Sequence, residues 1–159
     1  MTSMCSSKPN PLLVMQVKVK KCVPFLVLFL LLPLHAKAQS EVDQIGAAIQ
    51  RYIDGTSYND PELIMSAFYE DADMFLSREG HEIWLMPVKE YASRFGNAEK
   101  GEHNGRTGKL ISVEQQNDIA LAKAEIEIPA SGMKFIDVFI LKRLSGEWKI
   151  ISKAATRIE

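Results

Sequence analysis

The residue that could do chemistry is Asp137, because of where it stands. It lies inside Met133-Lys-Phe-Ile-Asp-Val-Phe-Ile-Leu-Lys-Arg-Leu144, a run patterned as a β-strand. In strand phase it falls with Phe135, Phe139 and Leu141, while Ile136, Val138 and Ile140 take the other face. Both faces are apolar, so the carboxylate is desolvated whichever way it points. Left unpaired there, it would cost several kcal/mol. Two readings stay open. Asp137 is a general base or ligand anchor with a raised pKa, or it is a structural carboxylate paired with Lys153, an arginine or a helix N-terminus.

Other candidates depend on that choice. If Asp137 abstracts a proton, Tyr91 or His81 would steady the developing oxyanion. His81 opens a predicted strand and could sit at a pocket mouth, or be an ordinary strand-end histidine. Tyr52, Phe75, Trp84, Met86, Tyr91 and Phe95, with Phe135 and Phe139 on the Asp137 strand, either wall a ligand pocket or fill the core. Trp148 is expected to be core. His103 sits in a polar loop and is expected to be solvated. His81 and His103 lack any H-x-H or H-x-x-x-H spacing, which argues against a metal site. There is no G-x-S-x-G, no P-loop and no dinucleotide glycine fingerprint. Hydrolase triads, nucleotide cleavage and nicotinamide redox chemistry are disfavoured, and no cofactor is expected.

These residues must be positioned by elements that the periodicity lays out. Ser40 is expected to open a helix as a cap, with Asp43 three residues on. Val42, Ile45, Ile49, Tyr52 and Ile53 recur at helical spacing, and Gly55 is expected to close it. Asp60-Pro61 starts a second, short helix with Leu63, Ile64 and Phe68 facing inward. Asp73–Ser77 and His81–Met86 read as a strand pair around Arg78-Glu79-Gly80. Pro87 starts a third helix, with Val88, Tyr91, Ala92 and Phe95 at i, i+3, i+4 and i+7, ending at Gly96. Residues 97–105 form a polar loop, with Gly101 and Gly105, that could be mobile. Four antiparallel strands follow: Arg106–Gln115, Ile119–Ile128, the Asp137 run, and Trp148-Lys-Ile-Ile-Ser-Lys-Ala-Ala155 after the Ser145-Gly146-Glu147 turn. Ala120, Ala122, Ala124, Ile126 and Ile128 share one face of the second, leaving room for a close helix or a cavity. Grouped helices and strands imply an α+β fold, with helices packed on a strongly curved, mainly antiparallel sheet.

The first 38 residues read as a leader. Lys18, Lys20 and Lys21 precede an apolar run from Cys22 to Leu34, and Ala36-Lys37-Ala38 supplies a cleavage site before Gln39. The run is shorter than the roughly 20 residues of a membrane span and is broken by Pro24 and Pro33. Cys22 stands before the apolar run, not after it as a lipoprotein requires. The expectation is export to the periplasm or medium with no stable membrane anchor after cleavage, from a start at Met1 or Met15. Residues 39–159 are then one domain.

Both cysteines, Cys5 and Cys22, lie in the leader, so the domain has no thiol chemistry. The chain has 19 basic and 20 acidic residues. The leader holds five of the lysines and no carboxylate, so the domain carries a net charge of −6. Nucleic acid is not an expected partner. Lys134, Lys142, Arg143, Lys149 and Lys153 nonetheless make the terminal hairpin basic, either as a solvated face or as a contact for an anionic partner or a second copy.

Ile49-Gln-Arg-Tyr-Ile-Asp-Gly55, Leu63 with Ala67-Phe-Tyr-Glu-Asp-Ala72, Phe135-Ile-Asp-Val-Phe-Ile-Leu-Lys142 and Gly146-Glu-Trp-Lys-Ile-Ile-Ser-Lys153 together resemble the nuclear transport factor 2-like superfamily. The resemblance is to its putative lumazine-binding branch, related to polyketide-cyclase-like and ketosteroid-isomerase-like members. It implies a cone-shaped α+β fold with three N-terminal helices on the curved sheet, a pocket between them, and often a homodimer. It does not imply an activity. Three functions therefore remain open: a binder of a small apolar or aromatic molecule, a cofactor-free isomerase, cyclase or dehydratase using Asp137, and a partner-binding module with a vestigial pocket.

Overall fold

The computed structural model describes residues 32–158, with side chains from Glu41. The expected leader lies outside the described residues up to position 31. Helix α1 (Leu32–Ser57) and α2 (Pro61–Ala67) precede strands β1 (Phe68–Arg78) and β2 (His81–Pro87). Helix α3 (Val88–Ser93) follows, then β3 (Thr107–Gln116), β4 (Ile119–Ile128), β5 (Met133–Leu144) and β6 (Glu147–Ile158). The strands form one six-stranded sheet in the order β2-β1-β6-β5-β4-β3. All pairs are antiparallel except β1 with β6.

Alternation decides which face is covered. On β4, Ala120, Ala122, Ala124 and Ile126 are buried while Leu121 and Lys123 are exposed. The same face continues through Asp137, Phe139 and Leu141 on β5 and through Trp148 and Ile150 on β6. Helix α1 lies on it with Ile45, Ala48, Ile49, Tyr52 and Ile53, a stripe at helical spacing. The room beside the β4 alanines goes to this helix. A Cβ on Gly108, paired with Ile126, would stand 2.8 Å from the Ile53 side chain. Trp148 is core, and its indole N–H donates to Glu41 Oε2 at 2.9 Å. Arg143 bonds the other oxygen of Glu41, so the hairpin end is tied to α1.

Several boundaries differ from the sequence reading. Position 40 is inside α1, not at its start. Ala36, Ala38 and Gln39 are good helix formers, so nothing forces a start at Ser40. Gly55 does not close α1 either. It sits within the last turns because α2 passes so close that a Cβ there would be 2.7 Å from the Ile64 backbone nitrogen. Phe68 is buried as expected but belongs to β1, which begins directly after α2. Helix α3 stops at Ser93, and Phe95 and Gly96 continue as tighter i→i+3 turns. Asp60 caps α2 as expected, accepting from Leu63 N at 3.0 Å.

The polar loop before β3 is tied to the end of α1. Asn59 Nδ2 donates to the carbonyls of Glu99 and Glu102, and Asn104 Nδ2 donates to Thr56 O and Asn59 Oδ1. Backbone bonds from Gly101 to Tyr58 O and from Asn104 to Ser57 O complete the clip. The loop is exposed, as its polar composition implies, and some of its polar groups also satisfy the end of α1.

The Gly55 approach gives a test. Gly55→Ala should destabilise the protein by about 1–3 kcal/mol, because backbone rather than a flexible side chain must move. Equilibrium urea unfolding measures this; an unchanged midpoint would mean that α1 and α2 are not held at this spacing.

Candidate functional site

Asp137 faces inward. Its neighbours across both strand pairs are alanines, Ala124 on β4 and Ala155 on β6, so space remains around the carboxylate. Lys153, next along on β6, closes on it: Nζ to Oδ2 is 2.7 Å, and both side chains are 2% exposed. Tyr52 from α1 donates its hydroxyl to the same oxygen at 2.9 Å. Tyr91 of α3 stands 3.3 Å from Tyr52, hydroxyl to hydroxyl. Arg106, just before β3, donates from Nη2 to Tyr52 Oη at 3.1 Å and reaches Tyr91 Oη at 3.5 Å. Lys153 Nζ also lies 5.2 Å and 5.6 Å from the ring centroids of Tyr52 and Tyr91, where a cation is attracted.

This cluster forms the polar side of a cavity of about 130 Å³. Asp137, Lys153, Arg106, Tyr91 and Ser77 contribute polar groups, and Leu76, Trp84, Ile128, Phe135 and Ala155 supply apolar wall. Burial first, then the Asp137 charge, push the Tyr52 phenol well above its ordinary value. Burial alone would lower Arg106, but Tyr91, Tyr52 and Asp137 outweigh it and hold the guanidinium charged. Among the described residues there is no group of three or more His, Cys, Asp or Glu side chains that could hold a metal ion.

The structure brings together part of the expected set. Asp137, Tyr91, Trp84 and Phe135 line the cavity, while Tyr52 is core and bonded to Asp137 from behind the wall. Phe139 and Met86 are fully packed core, and Phe95 stacks behind Tyr91 at 5.3 Å. Phe75 is on the opposite face of the sheet, 41% exposed, because its neighbours Met74 and Leu76 take the inward phase. His81 is exposed and does not meet Asp137. It lines an open groove with Arg78, Glu82, Met133 and Arg157, which adjoins the cavity at Ser77 and Phe135.

A family model described as "Putative lumazine-binding" matches residues 40–154. The chain belongs to this putative lumazine-binding family. No curated protein matches the chain. Solved structures agree on the nuclear transport factor 2-like fold. An NTF2-like protein of unknown function from Shewanella baltica is 20% identical with a TM-score of 0.66, over 76% of this chain and 95% of its own. One from Silicibacter pomeroyi is 21% identical with a TM-score of 0.67, over 76% and 98%. A ketosteroid isomerase-like protein from Erwinia carotovora is 16% identical with a TM-score of 0.55, over 75% and 97%. At these identities the likeness concerns fold alone.

In this lumazine-binding family member one site residue escaped the sequence reading, and another was named without the feature that turns it inward. Arg106 was legible by parity, since it shares phase with Gly108 and Leu110 on the inward face. Lys153 was named as a partner for Asp137, but simple alternation from Trp148 and Ile150 points it outward. A bulge turns it in: Ile140 pairs with Ser152 and Leu141 with Ile150, leaving Ile151 as an extra residue on β6.

Two predictions follow from the cluster. Asp137→Leu should cost about 3–5 kcal/mol by stranding Lys153, and Lys153→Met added to it should recover most of that loss. Urea unfolding of the single and double variants decides; additive losses would refute the pairing. The second concerns alkaline pH. Folded Tyr52 keeps its proton above the pH, about 10, at which an unfolded tyrosine releases it. The unfolded chain then binds fewer protons, so stability present below that pH is lost as pH rises beyond it. Tyr52→Phe should flatten this decline in a pH series of unfolding curves, although it costs about 1.5–3 kcal/mol at neutral pH through the lost bond to the carboxylate.

Proposed function

We propose that this domain binds a small organic molecule carrying a single apolar or aromatic ring, and that it does no chemistry on it. The observation that carries the reading is the apolar-walled cavity of about 130 Å³ over a fixed polar cluster. An apolar protein cavity of about 150 Å³ accepts benzene, so the volume suits one ring. The family label names lumazine, whose two fused rings exceed this volume unless Trp84 or Phe135 swings outward. A filled interior would have favoured a vestigial pocket instead.

The enzyme reading needs Asp137 as a base. Its Oδ2 already accepts from Lys153 and Tyr52, so that oxygen is engaged rather than free to take a substrate proton. We therefore favour Asp137 as part of a preorganised floor. The leader-like residues 1–38 support an exported protein, periplasmic or secreted. The outer sheet face supports a homodimer: Phe75 pairs with Leu85 and Leu121 with Ile140, and all four are exposed.

Native mass spectrometry of the purified protein tests occupancy and oligomeric state together. A bound small molecule is expected, and Ala155→Phe, which fills the cavity, should abolish it. If benzene or phenol in solution leaves the Trp84 and Tyr91 resonances unmoved and no bound mass is seen, the binding reading is wrong.

A further inference from the structure

We propose that the ligand of this cavity is an anion, a monocarboxylate on a single ring, and that Arg106 is the residue that receives its charge. This rests on the binding reading above and specifies the ligand class. Its basis is a charge count within the cavity wall. Among the described residues lining it there are two cations, Arg106 and Lys153, and one carboxylate, Asp137. Lys153 is matched to that carboxylate at 2.7 Å. Arg106 is not: its hydrogen bonds go to the phenols of Tyr52 and Tyr91. Its Nε is buried and has no hydrogen-bond acceptor among the described residues.

A part-buried guanidinium bonded to hydroxyls, with Asp137 acting on it only at a distance, has no direct ion-pair partner, and an orphan N–H adds to the cost. A ligand carboxylate corrects the charge. It supplies the second negative charge and accepts from guanidinium donors, a pairing that is strong and directional. The burial that pushes the Tyr52 phenol upward also keeps that hydroxyl neutral, so it does not serve as the counter-charge. Trp84, Phe135 and Leu76 are left to hold the ring.

The rest of the molecule does not favour anions. Residues 39–159 carry a net charge of −6, and the adjoining groove mixes Arg78 and Arg157 with Glu79 and Glu82. Any preference for an anion must therefore arise at Arg106 itself. Loop and helix cooperate to hold that side chain. Asn104, clipped to the end of α1, accepts the Arg106 backbone N–H at 3.0 Å.

The test compares benzoate with benzamide, a neutral molecule of nearly the same size and shape, by NMR titration of the wild-type protein. Benzoate should bind at least about tenfold more tightly. Arg106→Gln should remove the preference, while Arg106→Lys, which keeps the charge, should retain part of it. The wild-type comparison needs no variant, so it stands even if Arg106→Gln folds poorly. Equal binding of the two probes overturns the anion inference and leaves the binding reading intact. Binding of neither overturns both.

Discussion

The buried pair between Asp137 and Lys153 is the constraint on which the rest of the interior depends. Removing both charges from water costs several kcal/mol for each ion, and only close geometry with further hydrogen bonds offsets that. The pair has both: a 2.7 Å contact and a phenol on the same carboxylate oxygen. These groups come from different strands and a helix, so the pair forms in one register. Shifting β6 by one residue would turn Lys153 to solvent and leave Asp137 alone in an apolar layer. The extra residue at Ile151 is thus a structural requirement. It reverses the facing of the second half of β6 without disturbing Trp148 and Ile150, which anchor the first half.

The same cluster explains the placement of α1. Tyr52 reaches Asp137 because the helix lies close on the sheet, and close approach requires the missing side chain at Gly108. The end of α1 is buried at Thr56 and Ser57, and Asn59 just beyond it is covered too. The loop before β3 satisfies several of its polar groups, and in doing so it fixes the backbone from which Arg106 enters the cavity. Helix packing, loop order and site electrostatics are consequently one problem. A change in any of them moves the hydroxyls that Arg106 and Asp137 share.

This linkage also shows what could be read from the sequence. Elements with a clean period were legible: the alternation of β4, the stripe of α1 and the Asp60-Pro61 start of α2 stand where their patterns put them. So was the discord of a carboxylate between two apolar faces. Phase was lost where apolar residues run consecutively, as in Met74-Phe-Leu76, since either parity buries something greasy and Phe75 took the outer one. It was lost again at Ile151, where a bulge depends on pairing with another strand and leaves no local mark. The polar loop stands exposed as its composition implies, but its attachment to the end of α1 through Asn59 and Asn104 leaves no mark in composition.

A role limited to fold specificity does not account for all of this cluster. One carboxylate and one cation would suffice to fix the β5–β6 register, and Lys153 already supplies the cation. Arg106 adds a second positive charge among phenols, and its bonds to Tyr52 and Tyr91 tie α1 and α3 together without supplying it a carboxylate. Residues that satisfy the interior tend toward balance, so an imbalance confined to a cavity wall belongs to what the cavity holds. The Asp137–Lys153 pair then has a second effect. By engaging the only carboxylate lining the cavity among the described residues, it leaves Arg106 without a direct ion-pair partner in the cavity wall.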